Sequence, residues 1–301
     1  LNVPALLRTH GLTPKNSLGQ NFLTHPALLE PILHARQVTP TDTILEIGPG
    51  LGSLTRHLAA RAARVLAVEL DQHLIPLLRE VLTPYPNVQI IHGDILQLDP
   101  KTILNDSAIQ QINNQQSTIT NYQLPNHPLP PYLVIANIPY YITSAVIRHL
   151  LESGHPPTRI VLTIQREVAE RICATADRPH KADPQMSLLA LSVQVYGQPT
   201  IVAHIPASAF YPAPQVDSAI VRVDLYPEPR IPAPHLNTFF RLAKAGYGQK
   251  RKTIRNAFLG GLGWPKEKVD TLLQAAHLDP MRRAETLTLE EWGHLVNATL
   301  E

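Results

Sequence analysis

The sequence has a single cysteine, Cys173, among 301 residues, which excludes an intramolecular disulfide. With no Cys/His clustering, it also argues against a cysteine-based metal site. None of the 14 histidines pairs with another at H-x-x-x-H spacing, so they read as scattered surface or satisfied core residues and no metal is expected. Charged residues make up only 17% and aromatics 5%, and no apolar run is long enough to cross a bilayer. The N-terminal stretch LNVPALLRTHGLTPKNS lacks the layout of a signal peptide, so a cytoplasmic protein is expected. The net charge of +2 indicates no partner by itself; only a local cluster of Lys and Arg would mark a nucleic-acid surface.

What the sequence does have is length and apolar content. At 301 residues and 44% hydrophobic, it is expected to form one large domain with a smaller one. Its organising stretch is Thr43 to Gly52, TILEIGPGLG. Four of the first five residues are β-branched or long aliphatic, glycines follow at 48, 50 and 52, and an apolar segment from Ser53 reads as helical. This is strand, tight turn, helix, a cradle for a nucleotide-like ligand at a helix N-terminus. The spacing G-x-G-x-G differs from the G-x-G-x-x-G of a dinucleotide site, which disfavours an NAD-dependent dehydrogenase.

Three further strands each end in a ligand-type residue. Arg64 to Val68 runs into Glu69, 21 residues beyond Gly48, where a carboxylate can accept from both hydroxyls of a ribose. Val88 to His92 runs into Gly93 and Asp94, an acceptor for an exocyclic amine. Tyr132 to Ala136 runs into Asn137-Ile138-Pro139-Tyr140-Tyr141, which offers an amide, a stiffened main-chain carbonyl and an aromatic face at one spot. Together these can grip a planar base bearing an amino group.

The rest of the chain supplies context. Pro26 to Arg36 reads as a short helix, Asn105 to Pro131 as a Gln/Asn- and Pro-rich surface insertion, and Gln20-Asn21 as a loop between apolar anchors. Strands are expected at Arg159 to Ile164, Thr200 to Ile205 and Ser218 to Tyr226. The loop from Phe210 to Ser218 opens on an aromatic pair that either meets a splayed-out base or packs on its own domain. Proline-rich Tyr226 to Pro234 reads as a linker to an all-helical remainder, in which Lys250, Arg251, Lys252 and Arg255 make the dense basic cluster. That cluster suits an RNA backbone or a solvated helix face.

With LGQNFL, EIGPGLG, Glu69, Gly93-Asp94, NIPYY and FxPxPxVDS in order, the chain resembles the ribosomal RNA adenine N6-dimethyltransferase family, in its KsgA/RsmA branch. The resemblance implies a Rossmann-like class I methyltransferase sheet, mostly parallel, with seven strands and an antiparallel last strand. A small all-α C-terminal domain would follow, with domains at 1–228 and 229–301. It implies S-adenosyl-L-methionine as cofactor, held by Asn21, Leu23, Gly48, Glu69, Asp94 and Asn137. It also implies dimethylation of N6 on two adjacent adenines near the 3′ end of 16S ribosomal RNA, in small-subunit biogenesis. Asn137, Ile138, Pro139, Tyr140 and Phe210 would form the catalytic set, and Lys250, Arg251, Lys252 and Arg255 the RNA contacts. The related classes are a large-subunit (23S) adenine methyltransferase of the antibiotic-resistance type and a non-catalytic RNA- or DNA-binding relative.

Overall fold

The computed structural model describes residues 1–24, 38–105, 129–176, 186–249 and 251–300. The expected helix at Pro26 to Arg36 and nearly all of the Asn105 to Pro131 insertion lie outside the described residues.

Seven strands form one sheet: β2 (Thr43–Ile47), β3 (Arg64–Glu69), β4 (Val88–His92), β5 (Tyr132–Asn137), β6 (Arg159–Gln165), β7 (Gly197–Ile205) and β9 (Ser218–Leu225). Their order across the sheet is β4-β3-β2-β5-β6-β9-β7. The pairs from β4 to β6 are parallel, and β9 runs antiparallel to β6. β2, β3 and β5 are apolar along nearly their whole length, as parallel strands covered on both faces must be. From β2 the chain steps outward through β3 and β4, then returns to the other side of β2 at β5. Ile47 is therefore in register with both Val68 and Ala136, and the crevice at the carboxyl ends of β2 and β5 is the topological switch point.

A second, two-stranded sheet went unread in the sequence: β1 (Phe22–Leu23) pairs antiparallel with β8 (Phe210–Tyr211). Thr24 extends the link, its backbone N–H and hydroxyl both donating to the Ala209 carbonyl at 3.0 and 2.9 Å. The loop expected between two apolar anchors is thus a segment tied to the part of the chain just before β9.

The chain divides into two compact units, residues 1–169 with 200–225, and residues 170–199 with 226–301. A cut at 228/229 differs from this by assigning 170–199 and 226–228 to the first unit. The apolar cluster explains the grouping: Leu191 and Val195, from the helix Leu188–Gln194 and its C-terminus, pack with Phe239, Phe258 and Trp292. The stretch read as a linker also belongs to this unit. Ile231 is buried in the same cluster, and the backbone N–H groups of Tyr226 and Arg230 donate to the carbonyls of Tyr196 and Val195 at 2.9 and 2.8 Å. Helices at Leu236–Tyr247, Ile254–Leu262, Lys266–Ala275 and Leu289–Asn297 complete it. The last opens on a capping box in which Thr288 and Glu291 satisfy each other's backbone donors.

Candidate active site

The pocket at the switch point is lined by the glycine turn, Glu69, Asp94, Asn137 to Tyr141, and the whole of Leu18 to Leu23. The residues expected to hold a nucleotide-like ligand, Asn21, Leu23, Gly48, Glu69, Asp94 and Asn137, all lie in this one lining.

The glycines serve different purposes. Gly48 has φ +68°, and a Cβ there would meet nothing nearer than the Asn137 carbonyl at 3.7 Å, so its surface is left to the pocket. Gly50 has φ +57°, and its Cβ would stand 2.9 Å from the Phe22 ring. The close approach it permits is by the protein's own side chain, which fixes the N-terminal segment over the turn. The backbone N–H of Gly50 in turn donates to Glu69 Oε2 at 3.0 Å.

Glu69 ends β3 and is 6% exposed. Its other oxygen accepts from the Asp71 N–H at 2.9 Å. Burial raises the pKa of this carboxyl above the usual range, against the opposing pull of the backbone donors of Asp71 and Gly50. Each carboxylate oxygen keeps a lone pair beyond its backbone bond, so acceptance from a diol is compatible with the geometry. Asp94, beyond β4, uses Oδ1 to accept from the Leu96 N–H at 3.0 Å. Its Oδ2 makes no hydrogen bond among the described residues.

Asn137 ends β5 in register with Thr163. Its Nδ2 donates to the Asn21 carbonyl at 3.0 Å, an atom 116 residues away in sequence. That bond orients the amide so that Oδ1 faces away from Asn21 as an acceptor. Ile138 is buried and belongs to the pocket lining. Pro139 leads with φ −56° into the 3₁₀ turn Tyr140–Ile142. The Tyr140 hydroxyl shares a 2.7 Å hydrogen bond with Ser218, a fully buried residue opening β9. Burial raises the Tyr140 pKa, so the ring stays a neutral phenol.

Phe210 is placed apart from the other expected site residues. It is 4% exposed and sits in the apolar cluster with Leu23, Ile205 and Ala209, outside the pocket lining. In a two-residue strand, adjacent side chains point to opposite faces, and the exposed member of the pair is Tyr211, at 41%. Phe210 therefore packs beneath the segment that carries Leu23.

The basic cluster also changes. Lys250 lies outside the described residues, and Arg251 and Lys252 are exposed. Arg255 is committed within the unit: Nε and Nη2 donate to the two oxygens of Asp270 at 2.5 and 2.8 Å, joining the helices Ile254–Leu262 and Lys266–Ala275. That bidentate pair engages one edge of the guanidinium within the unit.

One feature of the site had no signal in the sequence. Asp71, 4% exposed, accepts from Lys15 Nζ at 2.7 Å, Gln20 Nε2 at 2.9 Å and the His73 N–H at 3.1 Å. Burial works against its charge, but the hydrogen bonds from Lys15 and Gln20 prevail and hold the carboxyl below the usual range.

A mostly parallel sheet with an antiparallel strand near one edge, and a pocket at its switch point, define a class I methyltransferase fold. The 23S rRNA methyltransferase ErmE superposes with a TM-score of 0.68 at 25% identity, covering 93% of this chain and 100% of its own. A dimethyladenosine transferase from Plasmodium falciparum shares the fold with a TM-score of 0.69 at 23% identity, covering 91% and 95%.

The model of the family "Ribosomal RNA adenine dimethylase" matches residues 11–298. Relatives named ribosomal RNA small subunit methyltransferase A are 43% identical in Dehalococcoides mccartyi strain CBDB1, over 96% of this chain and 90% of the relative. In Moorella thermoacetica the identity is 40%, over 97% and 94%. The chain belongs to the ribosomal RNA adenine dimethylase family and is a methyltransferase.

Proposed function

We propose that the protein transfers two methyl groups to N6 of each of two adjacent adenines in the 3′-terminal hairpin loop of 16S ribosomal RNA. The donor is S-adenosyl-L-methionine, and the reaction belongs to small-subunit biogenesis in the cytoplasm. The observation that carries the reading is the Asn137 amide, oriented by the Asn21 carbonyl at the mouth of a nucleotide-type cradle. The residues fit the donor: Gly48 leaves backbone surface open, Glu69 can take the ribose hydroxyls, and Asp94 has an oxygen left for an adenine amine. When bound there, the donor supplies an electrophilic methyl on a sulfonium.

The chain's own residues act on the target base. Adenine N6 is a poor nucleophile because its lone pair is delocalised into the ring. Asn137 Oδ1 and the Ile138 carbonyl accept hydrogen bonds from the amino group, which shifts nitrogen toward tetrahedral geometry and localises the pair. The proton then leaves to water, so no general base is required. Tyr140, tethered to Ser218, stacks on the flipped base for about 1–3 kcal/mol. Alignment of the reacting atoms supplies much of the remainder. The C-terminal helical domain, 229–301, holds the RNA through Arg251 and Lys252.

The likeness to a 23S enzyme favours a second reading, methylation of large-subunit RNA. Incubation with labelled donor and either small- or large-subunit RNA, followed by mapping of the modified base, separates the two. Dimethyladenosine at an adjacent pair in small-subunit RNA is expected. Label in large-subunit RNA alone establishes the second reading, and label in neither rejects both.

A further inference from the structure

We propose that Asp71 is a positioning residue for methyl transfer, acting through the N-terminal segment on Asn137. This rests on the proposed function above. Lys15 and Gln20, 56 and 51 residues away, both donate to the Asp71 carboxylate, one to each oxygen. Gln20 Oε1 in turn accepts from the Lys15 backbone N–H at 2.8 Å, closing a ring of three residues. The next residue, Asn21, supplies the carbonyl that receives the Asn137 amide. The backbone of Asp71 meanwhile donates to Glu69, whose other oxygen holds Gly50.

One residue thus serves both sides of the pocket: its carboxylate holds the segment over it, and its backbone N–H holds the acid at the end of β3 and, at one remove, the turn that follows β2. A neutral group could not serve as well, because the side-chain donor at 2.7 Å is an ammonium, and charge-assisted bonds are the stronger ones. The segment needs such a clasp, since β1 is only two residues long and pairs at one end. Upstream, Val3 and Leu7 are buried in one cluster with Phe22 and Leu51, so the clasp secures the stretch between those two anchors, which includes Asn21. Without the clasp, the Asn137 amide loses its fixed partner, and Oδ1 ceases to be presented in one direction.

The test has two arms. In the donor-free protein, amide hydrogen exchange over residues 16–23 should quicken in Asp71→Asn and Lys15→Met but not in Lys15→Arg, which keeps a cation. In single-turnover assays with saturating donor and RNA, Asp71→Asn should slow transfer about ten- to a hundredfold, the range for a misplaced reacting group, with RNA affinity unchanged. Combined with Asn137→Ala, it should add little, because the residue it positions is gone. Lys15, more than a third exposed at its side chain, provides a variant that should fold if Asp71→Asn does not. Unchanged exchange in Lys15→Met, or a full multiplicative loss on top of Asn137→Ala, would overturn the proposal. If the wild-type protein methylates no RNA, the functional reading fails, while the exchange arm still judges the clasp.

Discussion

The crevice at the strand ends and the basic stretch of the C-terminal unit were both marked by residue type, yet they differ in how far type predicts role. In the crevice, position in the fold decides. Glu69, Asp94 and Asn137 end three parallel strands at one edge of the sheet, so the topology that buries β2, β3 and β5 also assembles them. In the C-terminal unit nothing comparable constrains a charge on a helix, whose use depends on what the neighbouring helix presents. Arg255 looked like its neighbours Arg251 and Lys252, but Asp270 lies opposite it and takes the Nε–Nη2 edge of its guanidinium.

The largest expected effect breaks the crevice. Asn137→Ala should slow methyl transfer by about two to three orders of magnitude, the loss seen when a preorganised hydrogen-bonding group at a reacting centre is removed. RNA affinity should hold. Single-turnover kinetics with mass spectrometry of the RNA nucleosides provides the check.

A smaller effect comes from acid. In the proposed site an ionised Glu69 is the stronger acceptor for a ribose, and burial lifts its pKa above the ordinary glutamate value. Donor affinity should therefore fall as pH drops through that raised value, and the dependence should vanish in Glu69→Gln. Stability of the ligand-free protein should run the other way. A raised carboxyl pKa contributes stability that is fully present below the unfolded value and is lost as pH rises through the folded one. Thermal melts and donor titrations across the same pH window should show the two opposite slopes.

The C-terminal comparison is sharpened by separating its arginines. Neutralising Arg251 and Lys252 together should reduce the slope of log affinity against log salt by roughly 1.4, about 0.7 for each phosphate no longer neutralised on a single strand, without lowering the melting temperature. Arg255→Ala should lower the melting temperature with little change in that slope. RNA titrations at several salt concentrations, beside thermal melts, distinguish the pair. A smaller effect still is expected for Ser218→Ala, which frees the Tyr140 hydroxyl: slower transfer by a few-fold, with donor affinity retained in the same assays.

Much of this was legible in the sequence because parallel strands announce themselves as apolar runs and their ends fall at one edge. The sheet, the cradle at Gly48 and the residues around NIPY followed from that pattern. Three things did not. The partners of Asp71 lie 56 and 51 residues upstream, and no local period links them. The β1–β8 pair is two residues on each side, too short for alternation to show, and so the burial of Phe210 and exposure of Tyr211 could not be told apart. The grouping of Glu170–Pro199 with the helical unit depends on tertiary packing at Leu191 and Val195, which a composition shift at 226 conceals.

The central claim is that the methyl donor lies across the strand ends, held by Glu69 and Asp94. Calorimetric titration of S-adenosyl-L-methionine into the wild-type protein, Glu69→Ala and Asp94→Ala tests it most directly. The account predicts binding by the wild type and a loss of about 1–3 kcal/mol in each variant, the range for removing a charge-assisted hydrogen bond at a partly buried site. Unchanged affinity in both variants would contradict it.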